Sequence, residues 1–419
     1  AFPLGIGTAV YIAEIAPPDK RGRLAGMFQF NIVFGILVAF LSNYVIGRVA
    51  DSAVAWRWML GVEAIPALLF TVLCFRIPES PRWLIVRKGD QAAGMKVLQL
   101  IRPESTAGEI TALAELIQAA SDSPASTGKF WTRGLRIPIL LAFLVAFFNQ
   151  LSGINAILYF APRIFGLAGS GPEEALRQSI GIGITNLIFT FVGLWLIDRI
   201  GRRSLLYIGS FGYILSLGLC AAAFFHWAPQ FKVAASAWEV VGVSQKLQSP
   251  DLPDQAEIEA RFAAVLTALS EASSDPRYEP GTVAIPTDAA PQAAENLARS
   301  ALSTAAEASG MGGNMVLLCI FAFIAAHAVG QGAVIWVLIS EIFPNRHRAE
   351  GQALGSFTHW IFAALLTTFF PKMVSAFAPG TVFAFFCFMM VLQLIWVKFM
   401  VPETKGVPLE QMQKKLGIT

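Results

Sequence analysis

The chain has 419 residues, 55% of them hydrophobic and 14% charged, and its mean hydropathy is +0.59. A soluble globular domain carries about 25% charged residues, so this composition excludes a water-soluble globule and indicates a membrane protein. A formal net charge of +3, with no long basic block, gives no reason to expect nucleic acid as a partner.

About 20 apolar residues of helix span a bilayer core, and nine runs meet that need: 1–16, 24–47, 56–76, 137–165, 179–197, 204–225, 314–340, 352–371 and 381–401. The first opens in mid-run with no charged leader or cleavage site, so residue 1 is expected to lie inside a helix. Short loops 17–23, 198–203, 341–351 and 402–419 hold 11 Lys/Arg, whereas 48–55, 166–178 and 372–380 hold 3. Lys and Arg stay on the cytoplasmic side, so the C-terminus is expected in the cytoplasm and the chain in the cytoplasmic membrane as a multi-pass protein.

Two polar stretches interrupt the runs. The inner one, 77–134, offers a helix from Asp90 to Ile101 and a second opened by a Thr106–Glu109 capping box, so it reads as a cytoplasmic helical linker. The outer one, 227–310, carries 11 acidic and 5 basic residues, with Ile258, Phe262, Val265, Leu266 and Leu269 at helical spacing. It is expected to be an external helical appendage off the transport path. Cys74, Cys220, Cys319 and Cys387 sit singly in apolar runs without CxxC spacing, so they read as packing residues. No nucleophile–base pair, metal cluster or phosphate-binding loop is present in the sequence, so no enzyme, cofactor or metal is expected.

The sequence repeats itself. Glu14 and Arg21 flank Pro17 in "EIAPPDKRG", and Glu341 and Arg348 flank Pro344 in "EIFPNRHRAEG"; "PES" (78–80) follows the first and "PET" (402–404) the second, with two apolar runs between in each case. This is a parallel internal repeat of the kind found in transporters built from two like halves. Three apolar runs precede the second motif and none the first, so three helices are expected ahead of residue 1. The charged helix ends (Glu14, Arg21, Glu79, Arg82, Asp198, Arg202, Arg203, Glu341, Arg348 and Glu403) fall on one face. They are expected to pair between the halves and to latch an inner gate; the plain alternative is a set of solvated topology signals.

Polar groups buried at mid-membrane mark function. In 137–165 these are Asn149, Gln150, Asn155 and Tyr159. On an unbroken helix Gln150 and Asn155 lie about 140° apart and converge only if the helix breaks, for which Ser152-Gly153 stands between them. Gly330 and Gly332 suggest a second break just before Trp336. Neutral amides beside an aromatic face suit a polyhydroxylated ligand. His327 and His226 fit packing or interfacial positions better, and Asn31 and Thr185 are left open.

The motifs "EIAPPDKRG" (14–22), "PESPRWL" (78–84), "NQLSGINAILYFAP" (149–162), "DRIGRR" (198–203), "SEIFPNRHR" (340–348) and "PETKG" (402–406) together resemble the sugar porter family of the major facilitator superfamily. The resemblance implies an all-α membrane protein with the twelve-helix major facilitator fold, of which helices 4–12 are expected here, in two pseudo-repeated bundles. Its segments would be 1–76 (helices 4–6), 77–134 (linker), 135–226 (helices 7–9), 227–310 (insert), 311–401 (helices 10–12) and 402–419 (tail). It implies sugar contacts at Gln29, Asn149, Gln150, Asn155, Tyr159, Asn186 and Trp336, and assigns the charged helix ends to the inner gate. Asn149 departs from the usual Gln-Gln pair, and His359 in "SFTHW" stands where relatives often have Asn or Gln.

The functional expectation is transport of a hexose or pentose by alternating access, with proton symport leading and uniport, a polyol or other neutral cargo, or a sugar sensor as alternatives. The sensor reading suffers from the short tail after Val401. In proton-coupled relatives an acidic residue in the first helix is associated with coupling. The expected partners are a small sugar, protons and the lipid bilayer, with a monomer as the functional unit.

Overall fold

The computed structural model describes residues 11, 21–50, 54–122, 129–248, 255–283, 286, 289–344, 347–407 and 409–418. Helices account for its regular structure, and among the described residues there is no strand. Among the described residues, eight helical spans are long and apolar enough to cross a bilayer: Gln29–Val49, Ala55–Cys74, Arg133–Tyr159, Glu173–Ile200, Arg202–His226, Gly312–Ile342, Arg348–Ala376 and Pro379–Met400. They coincide with eight of the nine expected runs; the remaining one, 1–16, lies outside the described residues apart from Tyr11.

In chain order, α1 (Arg21–Val49) leads through the short α2 (Ala55–Gly61) into α3 (Ala64–Cys74). Ile65, Leu68 and Leu69 of α3 point outward, an apolar surface suited to hydrocarbon rather than water. The inner linker folds as α4 (Pro81–Val86), α5 (Gln91–Ile101) and α6 (Ala107–Asp122) around Ile85, Leu98, Ile110 and Ala114. Asp90 Oδ1 caps α5 by accepting the Ala93 N–H at 2.9 Å, and the Thr106 N–H donates to the Glu109 carboxylate at 2.8 Å in the expected capping box. The sequence reading missed α4, although Ser80 before Pro81 is a start signal: its hydroxyl accepts the Trp83 N–H at 3.3 Å, with Pro at the first helical position.

The expected run 137–165 is three helices, α7 (Arg136–Leu151), α8 (Ile154–Tyr159) and α9 (Ala161–Leu167). After it come α10 (Pro172–Ile200), α11 (Arg202–His226), the outer helices α12 (Ala228–Leu247), α13 (Gln255–Ser273) and α14 (Pro291–Ala308), then α15 (Gly312–Val329), α16 (Gln331–Ile342), α17 (Arg348–Ala376), α18 (Pro379–Met400) and α19 (Leu409–Lys415). Their main core gathers α7–α11 with α15–α18, centred on fully buried Leu141, Tyr213, Phe323, Phe383 and Phe386.

α11 packs against α15 and α18, α10 against α15 and α1, and α7 against α17. Small residues permit the closest crossings. A β-carbon at Gly209 would lie 2.9 Å from the Gly330 Cα, and one at Gly183 would lie 3.0 Å from the Leu37 backbone. The antiparallel α1–α10 contact ends at the Arg48–Glu173 ion pair, 3.1 Å.

The outer helices α12, α13 and α14 enclose a second core, in which Phe262, Val265, Leu266 and Leu269 are buried with Ile258 packed at its edge. Glu295 of α14 is held there by Arg299, Gln245 and Gln248. Burial would raise its carboxyl, but these hydrogen bonds outweigh burial and hold it below the ordinary glutamate value. The unit also touches the membrane bundle, because the Trp238 indole lies against the α9 backbone at Gly166, where a β-carbon would sit 2.9 Å from the ring.

Candidate functional site

The site starts from a break in a helix. Gly153 adopts φ +85°, a left-handed conformation that glycine takes without strain, and a β-carbon there would lie 2.7 Å from the Phe386 ring. The Ser152 hydroxyl donates to the Asn149 carbonyl at 2.6 Å and accepts the Ile154 N–H at 3.3 Å, satisfying backbone groups that the break frees.

The consequence is the convergence that an unbroken helix forbids: Asn155 Nδ2 donates to Gln150 Oε1 at 3.0 Å. Gln150 Nε2 in turn donates to Asn149 Oδ1 at 3.0 Å and to the His359 ring on α17, 3.1 Å from Nδ1. The other ring nitrogen, Nε2, lies 3.2 Å from the same Gln150 nitrogen, so the ring can accept through either of them according to its tautomer. The Trp336 ring on α16 sits 5.4 Å from the His359 ring, tilted by 54°. Gln150 is fully buried and Asn149 nearly so, whereas Asn155, His359 and Trp336 are half-buried. Three amides, an imidazole and an indole therefore gather at a helix break within a membrane-spanning run, with no charged side chain in the hydrogen-bonded set.

Of the expected sugar contacts, the structure brings together Asn149, Gln150, Asn155, His359 and Trp336. It does not join Gln29, Tyr159 or Asn186 to them by any hydrogen bond among the described residues. Gln29 is half-buried on α1, Asn186 is buried on α10, and Tyr159 is 57% exposed. Two buried polar pairings were not foreseen, although His327 itself was read as a packing or interfacial residue. The Tyr213 hydroxyl meets His327 Nδ1 at 2.7 Å, and Gln331, Gln393 and Ser210 form a relay across three helices. A lone amide in an apolar run, such as Gln393 in "VLQLIW", was the available signal for the second.

At the helix ends that carry the motif charges, these charges assemble within the C-terminal half. Arg202 binds Glu341 through two hydrogen bonds, 3.1 and 2.8 Å, and also pairs with Asp198 at 3.2 Å. Thr404 Oγ1 donates to Glu341 at 2.6 Å. The Glu403 carboxylate accepts the backbone N–H groups of Arg202, Arg203, Thr404 and Lys405. Burial would raise that carboxyl, but the four N–H groups prevail and hold it below the ordinary glutamate value. Two of those N–H groups open α11, so the "PET" motif caps the helix that "DRIGRR" begins. Gly201, at φ +92°, makes the approach possible, since a β-carbon there would lie 2.5 Å from the Glu403 carboxylate.

Pairing between the halves, expected from the repeat, is absent from the described ion pairs at this end: Glu79 and Arg82 are exposed and make none. The reason is geometric, because the loops after α10 and α18 bring Arg202 and Glu403 onto the end of α16 within one bundle. Arg203 donates to the Lys398 carbonyl at 2.7 Å and Arg348 to the Ser340 carbonyl at 2.8 Å. Glu14 and the Arg21 side chain lie outside the described residues.

Known proteins resemble this chain along most of its length. The profile of the family described as "Sugar (and other) transporter" matches residues 4–242 and 297–416, leaving out the middle of the outer unit. The D-xylose-proton symporter of Escherichia coli strain K12 is 29% identical over 426 residues, covering 98% of this chain and 69% of that protein. Probable inositol transporter 2 of Arabidopsis thaliana is 30% identical over 435 residues, covering 99% and 73%. The solved structure of the major facilitator superfamily proton:xylose symporter XylE bound to 6-bromo-6-deoxy-D-glucose superposes with a TM-score of 0.61 at 27% identity, covering 97% of this chain and 70% of that one. With the family profile spanning most of its length and its helices arranged as in that symporter, the chain belongs to the sugar transporter family of the major facilitator superfamily and is a multi-pass membrane transporter, not an enzyme.

Proposed function

We propose that the chain carries a hexose or pentose across the cytoplasmic membrane by alternating access, together with a proton, as a monomer with its C-terminus in the cytoplasm. The observation that carries this reading is the hydrogen-bonded set Asn149, Gln150, Asn155 and His359 beside Trp336 at the Gly153 break. Neutral groups that both donate and accept match vicinal hydroxyls, and an indole face matches the C–H side of a sugar ring. The names of relatives support the cargo and the proton: one is a D-xylose-proton symporter, and the related solved structure holds a glucose derivative.

Gln150 spends its amide on protein partners in this arrangement, so an arriving sugar exchanges its own hydroxyls for the Asn155 and His359 bonds. The cluster is thereby prearranged without an unpaired amide nitrogen at Gln150. Gln29, Tyr159 and Asn186 are proposed as further contacts made by the loaded site. The Arg202–Glu341 pair is proposed as part of the inner latch. Uptake of D-xylose and D-glucose by cells expressing the protein, with and without a proton gradient, tests the reading. A gradient-dependent signal supports symport, and gradient-independent equilibration supports the uniport alternative. A polyol cargo is the second reading favoured by an observation, the similarity to an inositol transporter; myo-inositol competition distinguishes it.

A further inference from the structure

Trp336 lies at the middle of α16, five residues from Gln331 at its start and five from Glu341 near its end. Whatever fixes the start of α16 therefore fixes the aromatic wall of the site. Gln331 and Gln393 are both fully buried. Gln331 Nε2 donates to Gln393 Oε1 of α18 at 2.7 Å, and Gln393 Nε2 donates to Ser210 Oγ of α11 at 2.9 Å. The Ser210 hydroxyl donates to the Leu206 carbonyl at 2.7 Å, so the relay ends in the backbone of α11. At its other end Gln331 Oε1 is a buried acceptor without a partner.

Three features separate this relay from ordinary interhelical glue. It sits at the Gly330 break, where φ −83° and ψ −103° interrupt α15 and α16. There the backbones of Gly330 and Gly209 touch, for a β-carbon on Gly330 would lie 2.7 Å from the Gly209 Cα. Finally, α11 grips α16 at both ends, through Ser210 and Gln393 at the start and through Arg202 and Glu341 at the finish, about 15 Å apart along α16.

We propose that Gln331 and Gln393 are positioning residues of the sugar site: through Ser210 they fix the pivot of α16 and so hold the Trp336 indole beside Gln150 and His359. Both are fully buried, so they act on the sugar only through Trp336. This rests on the sugar-site reading above. With the relay cut, α16 keeps its helix and its Glu341 anchor, but its pivot is loose and the indole no longer stays over the site.

The test measures concentration-dependent uptake of D-xylose and D-glucose in proteoliposomes for the parent, Gln331→Leu, Gln393→Leu, the double variant, Ser210→Ala and Ser210→Thr, with Gln150→Ala in parallel. The expected result is a KM raised about tenfold by either Leu variant, and no further rise in the double. The maximal rate stays within twofold of the parent, and Ser210→Thr, which keeps the hydroxyl, has the parental KM. Should a Leu variant fail to fold, Ser210→Ala decides, because it removes one oxygen from α11; a severalfold KM rise supports the relay. A parental KM in Ser210→Ala and in the folded Leu variants, or a lower rate at unchanged KM, overturns it. If Gln150→Ala loses uptake while the relay variants do not, only the relay fails; if Gln150→Ala also keeps the parental KM, the sugar-site reading falls and the relay with it.

Discussion

Arg202 and Glu341, 139 residues apart in the chain, close on each other through two hydrogen bonds of 3.1 and 2.8 Å where α11 begins and α16 ends. The Arg202 side chain is 11% exposed and that of Glu341 28%. A pair this sheltered is worth more than a surface ion pair, and removing one partner strands the other. The two motifs that carry these residues, "DRIGRR" and "SEIFPNRHR", are thus halves of one joint, completed by Glu403 and Thr404 of "PETKG".

If that joint is part of the inner latch, Glu341→Gln shifts the resting population toward the inward-facing state. Transport should fall at least fivefold while sugar affinity stays within about threefold, because a change of state populations affects the cycle more than the site. Alkylation of a cysteine placed in the inner cavity reads the shift. Equal labelling in variant and parent, with normal uptake, would reduce the charges to topology signals.

Glu403→Ala removes the carboxylate that caps α11. A helix cap contributes about 1 kcal/mol and its charge at the N-terminus about 0.5 kcal/mol more, so a loss of about 1–2 kcal/mol is expected. The Glu403 carboxyl lies below its ordinary value in the folded state, so its contribution is complete above the ordinary glutamate value and disappears as pH falls through the lowered one. Thermal unfolding of variant and parent should therefore differ at neutral pH and converge in acid. A difference independent of pH would contradict the cap.

The fold was largely legible, because long apolar runs and Lys/Arg-rich loops report membrane crossing without reference to any partner. The Gly153 break was legible for the same reason: Gln150 and Asn155 needed it in order to meet. A further break in the run 137–165, at Phe160 before Pro162, was missed although the proline stood in plain view, since the run stays apolar across it. Pairing was the illegible part. Spacing places Glu341 at a helix end, but only the folded loops decide that Arg202 meets it in place of a charge from the other half. The amides Gln331 and Gln393 illustrate the same limit, being 62 residues apart with nothing in either run to name the other.

Replacing Gln150 or Asn155 by Ala removes a buried hydrogen-bonding group from the cluster. Sugar binding should weaken by about 1–3 kcal/mol, or roughly 5- to 150-fold. Isothermal titration with D-xylose and D-glucose measures it. Affinity within twofold of the parent for both sugars, in a folded variant, would remove these amides from the site.

The outer unit should not be a passive insertion. Trp238 rests on α9, which continues the half-helix bearing Asn155, so Trp238→Ala should cost about 1–3 kcal/mol of stability through lost aromatic burial. It should also increase labelling of a cysteine introduced at the outer end of α9. Replacing 249–290 with a short Gly/Ser linker removes the share of α13 in the second core but spares α12 and the Trp238 contact with α9, so it should destabilise the outer unit yet leave uptake within about twofold. Abolished uptake at normal surface expression would show that α13 takes part in transport.

The account depends most on the break at Gly153 being the place where sugar is held and passed. Counterflow of labelled D-xylose and D-glucose into proteoliposomes preloaded with the same sugar, compared between parent and Gly153→Ala, addresses it directly. The added methyl would meet the Phe386 ring at 2.7 Å and strain a backbone at φ +85°. The prediction is counterflow by the parent for at least one sugar and a loss of tenfold or more in the variant at equal reconstitution. No counterflow by the parent for any neutral sugar, or full counterflow in Gly153→Ala, would contradict it.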